Sequence, residues 1–472
     1  MKRAVFGVFG AAASGFLLLL AMPLVGFWPV GWVALVPLFL ACRGQRFIVG
    51  FGLGVVTAFT LAALTISGVF FADHDSTGEV TWIKLGCAIF GAVVGVVSAF
   101  LAEVRLGDSR RLIGLAAFAV LFEAATLRVL PVTLALTQPN VAGMRMVASL
   151  VGIWGVAFLL WLVNLFIAEC LLRRDWRPLL PVAVGLPVTL LVGWSWSTRD
   201  GNRNRVPIVL VQSESEPPRL AAMSGHNPLA LAVWPEFGGL STAPGGNSKE
   251  LREFSQRANA PAIVTSFRDD FRPLPHNVAA LFFRGAESDR YAKRLLFGSE
   301  KQMHSAGDQA VSVPWQGTKV GLNICFDSCW PGLLRQTAMP GDVRLIVVPA
   351  IDPPSPYHWV AAMHAAFTPF RAAENGVSIA RADGIAYSTV VDGSGNVLQT
   401  LLPGEASIQV PTPIGRRWTL YRLIGDLLLW IFGGLVLYAL IPKKNRASSE
   451  PLSKGPLPPE TGRTPPESPC PS

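Results

Sequence analysis

The sequence predicts a multi-span α-helical membrane bundle that carries an extramembrane α/β domain. Of its 472 residues, 51% are hydrophobic and only 15% are charged, whereas soluble domains carry about 25% charged residues. Long apolar runs fill the first 197 residues and return once near the C-terminus. Between them, residues 198–417 form a more polar block with short strand-like runs. The pattern therefore indicates one folded domain enclosed by membrane helices.

Eight apolar runs are candidate transmembrane helices, because a helix needs about 20 apolar residues to cross a bilayer. They are residues 4–22, 24–41, 47–71, 82–102, 112–128, 146–171, 178–197 and 418–441. Lys2 and Arg3 precede the first run, as basic residues do in a signal peptide. No clear small-x-small cleavage site follows this run, so we expect a retained helix.

The basic residues orient the predicted bundle. If all eight runs cross, every basic cluster beside a span falls on the same side, which the positive-inside rule makes cytoplasmic. These clusters are Lys2 and Arg3; Arg43 and Arg46; Arg105, Arg110 and Arg111; Arg173, Arg174 and Arg177; and Lys443, Lys444 and Arg446. We therefore expect a multi-pass inner (cytoplasmic) membrane protein with both termini in the cytoplasm. The polar block then faces the periplasm of a Gram-negative cell.

This pattern divides the chain into four parts. Helices 1–7 occupy residues 1–197, the outer domain 198–417, and the eighth helix 418–441. Residues 442–472 are rich in Pro, Ser, Gly and Glu and predict a disordered cytoplasmic tail. The net charge of +9 fits cytoplasmic loops. No basic stripe with interleaved aromatic residues accompanies it, so nucleic acid is not an expected partner.

The outer block alternates strands with helices. Continuous apolar runs, rather than alternating ones, predict strands that are covered on both faces. The predicted strands are residues 206–212, 229–233, 261–266, 319–324, 343–349, 377–381 and 388–391. Residues 357–375 predict a helix that Pro369 kinks or interrupts. The run Asp392–Asn396 predicts a turn between two strands.

Three residues of this block could form a nucleophilic site. Glu236 and Cys325 each follow a predicted strand, and ligands bind at such strand ends in α/β sheets. A cysteine attacks as a thiolate and needs a base or a cation nearby. Lys293 lies between the two in sequence, and an ammonium can stabilise an oxyanion. The same residues also fit a packed core thiol and a solvated lysine, because spacing alone does not bring distant residues together.

Several motifs of the block resemble those of the nitrilase superfamily. Trp234–Glu236 is similar to its glutamate motif and Tyr291–Glu300 to its lysine motif. Asn323–Asp327 is similar to its cysteine motif, and Arg371–Gly376 resembles part of the run that closes the domain. Within the superfamily, the chain resembles the apolipoprotein N-acyltransferases. Gly152–Leu159 is similar to their sixth span, and eight spans with the polar block before the last is their layout.

The resemblance implies an αββα sandwich and a ping-pong acyl transfer that needs no metal and no diffusible cofactor. Cys325 would be the nucleophile, Glu236 the general base, and Lys293 would stabilise the oxyanion together with the N–H of Phe326. Glu300 would orient the lysine. The acyl chain would pass from a phospholipid, such as phosphatidylethanolamine, to the cysteine as a thioester. The N-terminal amine of a diacylglyceryl-cysteine lipoprotein would then receive it.

The chain also departs from the family's pattern. Phe326 and Asp327 stand where the family usually has Tyr-Glu, and Ser299 interrupts a Phe-Gly-Glu run before Glu300. Of the family's motif in the loop after strand 343–349, only Asp352 is present. Two alternatives therefore stay open. The chain could be a membrane-tethered nitrilase-like amidase or hydrolase that uses water, or a catalytically degenerate member that binds lipids or a partner protein. No metal-type spacing of cysteine and histidine is visible.

Overall fold

The computed structural model describes residues 2–70, 79–129, 131–198, 204–240, 246–269, 274–298, 300–352 and 358–442. The N-terminal part of these residues is helical. Its α-helices are Lys2–Ala21 (α1), Val36–Cys42 (α2), Phe47–Phe70 (α3), Glu79–Glu103 (α4), Ser109–Thr126 (α5), Ala142–Arg173 (α6) and Leu180–Ser197 (α7). The predicted tail, residues 442–472, lies outside the described residues except for its first position.

Four helices in the described part of the chain are long and apolar enough to cross a membrane. They are Phe47–Thr65, Lys84–Glu103, Ala142–Arg173 and Arg177–Ser197. Three shorter apolar helices accompany them, namely Val5–Ala21, Trp28–Cys42 and Leu427–Leu440. The fifth predicted span corresponds to α5, which carries Arg110, Arg111 and Glu123 and is therefore less apolar. The apolar bundle is present, and the number of eight spans stays a prediction.

Two predicted spans are divided in the structure. The run 24–41 becomes a 3-10 turn, Trp28–Trp32, followed by the short helix α2. The run 418–441 becomes Leu420–Ile424 (α14) and Leu427–Leu440 (α15). Gly425 lies between α14 and α15 at φ +57, a backbone conformation that ends a right-handed helix.

Helix α6 is interrupted near the end that contacts the α/β domain. Gly152 has φ 74 and ψ 174, which is outside the helical region. The break frees the N–H of Ile153, and the carboxylate of Glu374 accepts it at 2.7 Å. A Cβ at position 152 would lie 2.7 Å from the ring of Tyr421. Glycine is therefore required here both by backbone conformation and by space.

The outer domain contains two β-sheets. Its strands are Arg205–Gln212 (β1), Leu231–Val233 (β2), Ala262–Arg268 (β3), Asn277–Phe283 (β4), Ala286–Glu287 (β5), Tyr291–Ala292 (β6), Val311–Trp315 (β7), Thr318–Leu322 (β8), Val343–Pro349 (β9), Ser378–Ala382 (β10), Ser388–Val391 (β11), Val397–Leu401 (β12) and Ala406–Pro413 (β13). One sheet has the order β13-β1-β2-β3-β4-β5, with β6 paired to β4, and the other has the order β12-β11-β10-β9-β8-β7.

Helices cover the outer face of each sheet. The helices of the domain are Pro217–Met223 (α8), Gly246–Gln256 (α9), Glu300–Met303 (α10), Pro331–Ala338 (α11), His358–Ala365 (α12) and Phe367–Asn375 (α13). In β1, Ile208 and Leu210 pack in the layer between the sheets, whereas Val209 and Val211 pack under α8 and α9. Helices α11 and α13 cover the other sheet. Each central strand is thus apolar on both faces, and the predicted α/β sandwich is confirmed.

The helix predicted over 357–375 is interrupted at Ala366, three residues before Pro369. Proline destabilises the interior of a helix but is tolerated in its first turn. The new helix α13 begins at Phe367, so Pro369 lies in the first turn of that helix. The turn predicted at Asp392–Asn396 joins β11 to β12.

Candidate active site

Cys325 lies in a sharp turn after β8. It begins a 3-10 helix, Cys325–Cys329, and its own φ is +45, in the left-handed region that non-glycine residues rarely adopt. The turn leaves the thiol largely buried, with Sγ 3.8 Å from the carbonyl oxygen of Ile351. Cys325 and Cys329 are both free thiols.

Glu236 and Lys293 meet in a buried ion pair beside this turn. Lys293 Nζ donates to Glu236 Oε1 at 2.8 Å, and Asn277 Nδ2 donates to the same oxygen at 2.7 Å. The Glu236 carboxylate also interacts with the thiol of Cys325. Its other oxygen, Oε2, has no further hydrogen-bond partner in the described part of the chain. The three residues singled out by the sequence therefore converge, although 89 positions separate the first from the last.

The surroundings of these groups shift their proton affinities. Burial raises the pKa of Glu236, while Lys293 opposes that rise. Burial alone would lower the pKa of Lys293, but Glu236, Cys325 and Glu300 together raise it well above its usual value. Burial and the nearby Glu236 carboxylate raise the pKa of the Cys325 thiol well above its usual value. The resting site therefore contains a neutral thiol, a charged lysine and a carboxylate able to take a proton.

Glu300 reaches the lysine despite the additional residue before it. Its Oε1 accepts from Lys293 Nζ at 2.6 Å, and its Oε2 accepts the N–H of Phe297 at 2.8 Å. Phe326 is buried and packs on Phe297, with ring centroids 4.8 Å apart. The lysine segment and the cysteine turn are thus packed directly against each other.

Asp327 contacts the segment that carries the lysine. Its Oδ2 accepts from the hydroxyl of Tyr291 at 2.7 Å, and its Oδ1 accepts the N–H of Leu295 at 2.7 Å. Burial raises the pKa of Asp327 to about 6, while the hydrogen bond from Tyr291 opposes the rise. Since Tyr291 and Leu295 flank Lys293, this carboxylate fixes the lysine relative to the cysteine turn.

A second buried cluster of charged residues lies beside the backbone of Cys325. His364 Nδ1 is 2.7 Å from Asp352 Oδ1, and the guanidinium of Arg381 donates to Asp352 Oδ2. His364 Nε2 is 3.1 Å from the carbonyl oxygen of Cys325. Burial opposes ionisation of Asp352, but His364 and Arg381 lower its pKa to about 2. His364 does not stand out in the sequence, because helical spacing in α12 does not distinguish it from a core histidine.

The same cluster is the candidate place for a metal ion. Ligand atoms of Cys325, Asp352 and His364 lie within 4.8 Å of one another. Their sequence spacing gave no hint of this, since they come from three separate elements. His364 and Arg381 already neutralise Asp352. Burial alone would lower the pKa of His364, but Asp352 raises it to about 10. A protonated imidazole is a poor ligand, so the group is better described as an ion-pair network.

Cys325, Glu236 and Lys293 line one cavity of about 310 Å³. Phe297, Met303 and Val360 add apolar surface to it, and Pro131 from the helical region contributes to its wall. The arrangement provides a nucleophile, a base and a cation in a site partly shielded from water, which is the set that acyl transfer requires.

Comparisons with known proteins relate both halves of the chain to one kind of enzyme. Residues 14–166 match the family described as the apolipoprotein N-acyltransferase N-terminal domain. Residues 194–411 match the carbon-nitrogen hydrolase family. The apolipoprotein N-acyltransferase of Geobacter metallireducens is 25% identical over 504 residues, which cover 91% of this chain and 94% of that protein.

Other similar proteins match a smaller share of the chain. An (R)-stereoselective amidase from Pseudomonas sp. is 32% identical over 103 residues, or 22% of this chain and 38% of the amidase. Among solved structures, an amidase from Nesterenkonia sp. covers 45% of this chain and 92% of its own, with 23% identity and a TM-score of 0.40.

Proposed function

The chain belongs to the apolipoprotein N-acyltransferase family, and we propose that it acylates the N-terminal amine of a diacylglyceryl-cysteine lipoprotein through a thioester on Cys325. The acyl donor is a phospholipid such as phosphatidylethanolamine. The observation that carries this proposal is the convergence of Glu236, Lys293 and Cys325 in one cavity. The similarity along both the helical and the outer part supports acyl transfer rather than hydrolysis alone.

In the first half-reaction, Glu236 accepts the thiol proton as Cys325 Sγ attacks the ester carbonyl of the phospholipid. Lys293 and the N–H of Phe326 stabilise the oxyanion that forms. The C–O bond to the glycerol then breaks, the leaving oxygen takes the proton from Glu236, and the acyl chain remains on the sulfur. The hydrogen bond of Glu300 keeps Lys293 in position during this step.

In the second half-reaction, the amine of the lipoprotein attacks the thioester. Glu236 accepts a proton from the amine, the C–S bond breaks, and an amide forms. The proton on Glu236 returns to the thiolate, which restores the resting site. A thiolate is a good leaving group, so an amine can resolve the intermediate.

The membrane helices provide both substrates with a route to the cavity. Phospholipid and lipoprotein are both anchored in the bilayer, and the cavity wall includes Pro131 from the helical region. We place the catalytic domain on the periplasmic side of the inner membrane and both termini in the cytoplasm. This topology follows the distribution of basic residues in the sequence.

The proposal is tested by trapping the thioester. Purified full-length protein in detergent is incubated with phosphatidylethanolamine carrying a labelled acyl chain. We expect a hydroxylamine-sensitive protein adduct that Cys325→Ala abolishes. Cys329→Ala is the matched control, because Cys329 is also a buried free thiol four residues away, and it should keep the adduct. Folded wild-type protein without an adduct would refute the proposal.

A second incubation identifies the acceptor. A diacylated lipopeptide with a free N-terminal amine is added to the labelled adduct, and the peptide is analysed by mass spectrometry. Acyl transfer increases the peptide mass by one acyl chain. Release of free fatty acid with an unchanged peptide would identify a hydrolase instead.

A further inference from the structure

His304 is a buried histidine of the catalytic cavity that the acyl transfer described above does not use. Its side chain is 3% exposed and lines the cavity with Cys325, Glu236 and Lys293. Neither ring nitrogen has a hydrogen-bond partner in the described part of the chain. Buried polar groups almost always have partners. An imidazole whose nitrogens have no partner among the described residues, in the cavity that contains Cys325, indicates that a ligand completes the site.

The position of this imidazole is fixed. Its backbone N–H donates to the carbonyl of Glu300 at 2.8 Å, and Glu300 is itself held by Lys293. The ring stacks on Phe237, with centroids 5.7 Å apart and planes 26° apart. A ring held on its face by an aromatic side chain presents only its edge, where the nitrogens lie, to a ligand.

The cavity around His304 combines two cationic side chains with an N–H donor. Arg268 and Lys293 line the same cavity. Burial and, as a smaller effect, the charge of Arg268 lower the pKa of His304. The ring is therefore neutral near pH 7 and offers one N–H donor. Carboxylates line the cavity as well, but Glu236 and Glu300 are paired with Lys293, and Asp352 is paired with Arg381. Glu214, the remaining carboxylate of the wall, also lines an adjoining cavity with Glu216, to which His304 and Arg268 do not contribute. An incoming ammonium group is better accommodated there.

We propose that His304 donates a hydrogen bond to a phosphate oxygen of the acyl donor, and that Arg268 adds positive charge to this headgroup subsite. The inference rests on the proposed function and specifies which part of the donor faces which wall. In a phospholipid the phosphate is joined to the reactive ester by the short glycerol backbone. A single cavity can therefore hold the ester carbonyl at Cys325 and the phosphate at His304.

The test compares two acyl donors with identical chains, phosphatidylethanolamine and phosphate-free diacylglycerol. The kcat/KM for thioester formation is measured with each. We expect His304→Ala to lower the ratio of phospholipid to diacylglycerol by about tenfold or more, the loss expected for one hydrogen bond to a charged group. His304→Gln retains an N–H donor and should recover part of the ratio. His226→Ala, at an exposed histidine, should leave the ratio at the wild-type value.

Each outcome separates this inference from the proposed function. An unchanged ratio in His304→Ala, or an equal loss with both donors, would refute the headgroup subsite while thioester formation remains. Wild-type protein that forms no thioester with either donor would refute both. Inorganic phosphate distinguishes the source of the anion. Competition that is lost in His304→Ala, without any change in the donor ratio, would identify a site for free phosphate and refute the lipid assignment.

Discussion

Cys325 occupies a backbone conformation that costs a non-glycine residue about 1–3 kcal/mol. Its carbonyl oxygen is held by its neighbours: Ser328 Oγ donates to it at 2.7 Å, and His364 Nε2 lies 3.1 Å away. Asp352 keeps His364 protonated and therefore a donor at both nitrogens. The contact of the charged His364 with the carbonyl of Cys325 thus offsets the backbone strain of the turn that directs the thiol into the cavity.

The contribution of His364 to stability should depend on pH. Burial alone would lower its pKa, but Asp352 raises it to about 10 in the folded protein, against about 6.5 when unfolded. Because the folded pKa is the higher one, this stabilisation is complete below about pH 6.5 and is lost as the pH rises toward 10. Asp352, with a pKa of about 2, stays ionised throughout.

His364→Gln should therefore lower the free energy of unfolding by up to about 3 kcal/mol at pH 6, and by progressively less toward pH 9.5. Thermal unfolding of the wild type and variant in detergent over this range measures the difference. His226→Gln, an exposed substitution, corrects for general effects of pH. A difference that stays constant with pH would mean that His364 is neutral in the folded state.

At the level of elements, central strands and strand-end residues could be predicted from the sequence, whereas contacts between elements could not. Strand β9 was predicted at its observed bounds because both of its faces are apolar. Ser299 interrupts the motif before Glu300, yet the short helix α10 brings the Glu300 carboxylate to Lys293. The ring contact of His304 with Phe237 and the ion pair of His364 with Asp352 depend on packing between separate segments of the chain. Local patterns contain no information about such contacts.

The break in α6 gives a prediction at the same scale. Gly152→Ala places a Cβ at positive φ and 2.7 Å from the ring of Tyr421, so we expect a loss of about 2–4 kcal/mol in the free energy of unfolding. Gly185→Ala in α7 is the control, because a Cβ there meets nothing within 4 Å, and alanine favours a helix. Thermal unfolding in detergent compares the two. Equal stabilities would mean that the break is not constrained.

Across the whole molecule, buried polar contacts join the outer domain to the helices. Arg145 in α6 donates to the carbonyl of Ser394 at 3.1 Å and to Asn396 Oδ1 at 2.6 Å. Asn396 in turn donates to the carbonyl of Ser197 at the end of α7 at 3.0 Å. The turn between β11 and β12 is therefore a docking site for the ends of two helices. These contacts fix the outer domain, which contains Cys325, to the helical bundle.

The proposed topology can be tested by labelling single cysteines in spheroplasts with a membrane-impermeant maleimide. Lys249→Cys lies on an exposed position of α9 and should react in intact spheroplasts. Arg46→Cys lies on an exposed position between α2 and α3 and should react only after lysis. Four native cysteines are buried free thiols, which limits the background. The opposite labelling pattern would invert the orientation of the bundle.

The carboxylate of Glu374 belongs to the outer domain, but the N–H that it accepts belongs to the broken helix α6. Removal of the outer domain would leave the amide of Ile153 without its acceptor. The outer domain therefore cannot simply be exchanged for that of another protein. A chimera that joins this bundle to a water-soluble nitrilase should fail unless the graft also supplies an acidic residue at the broken helix.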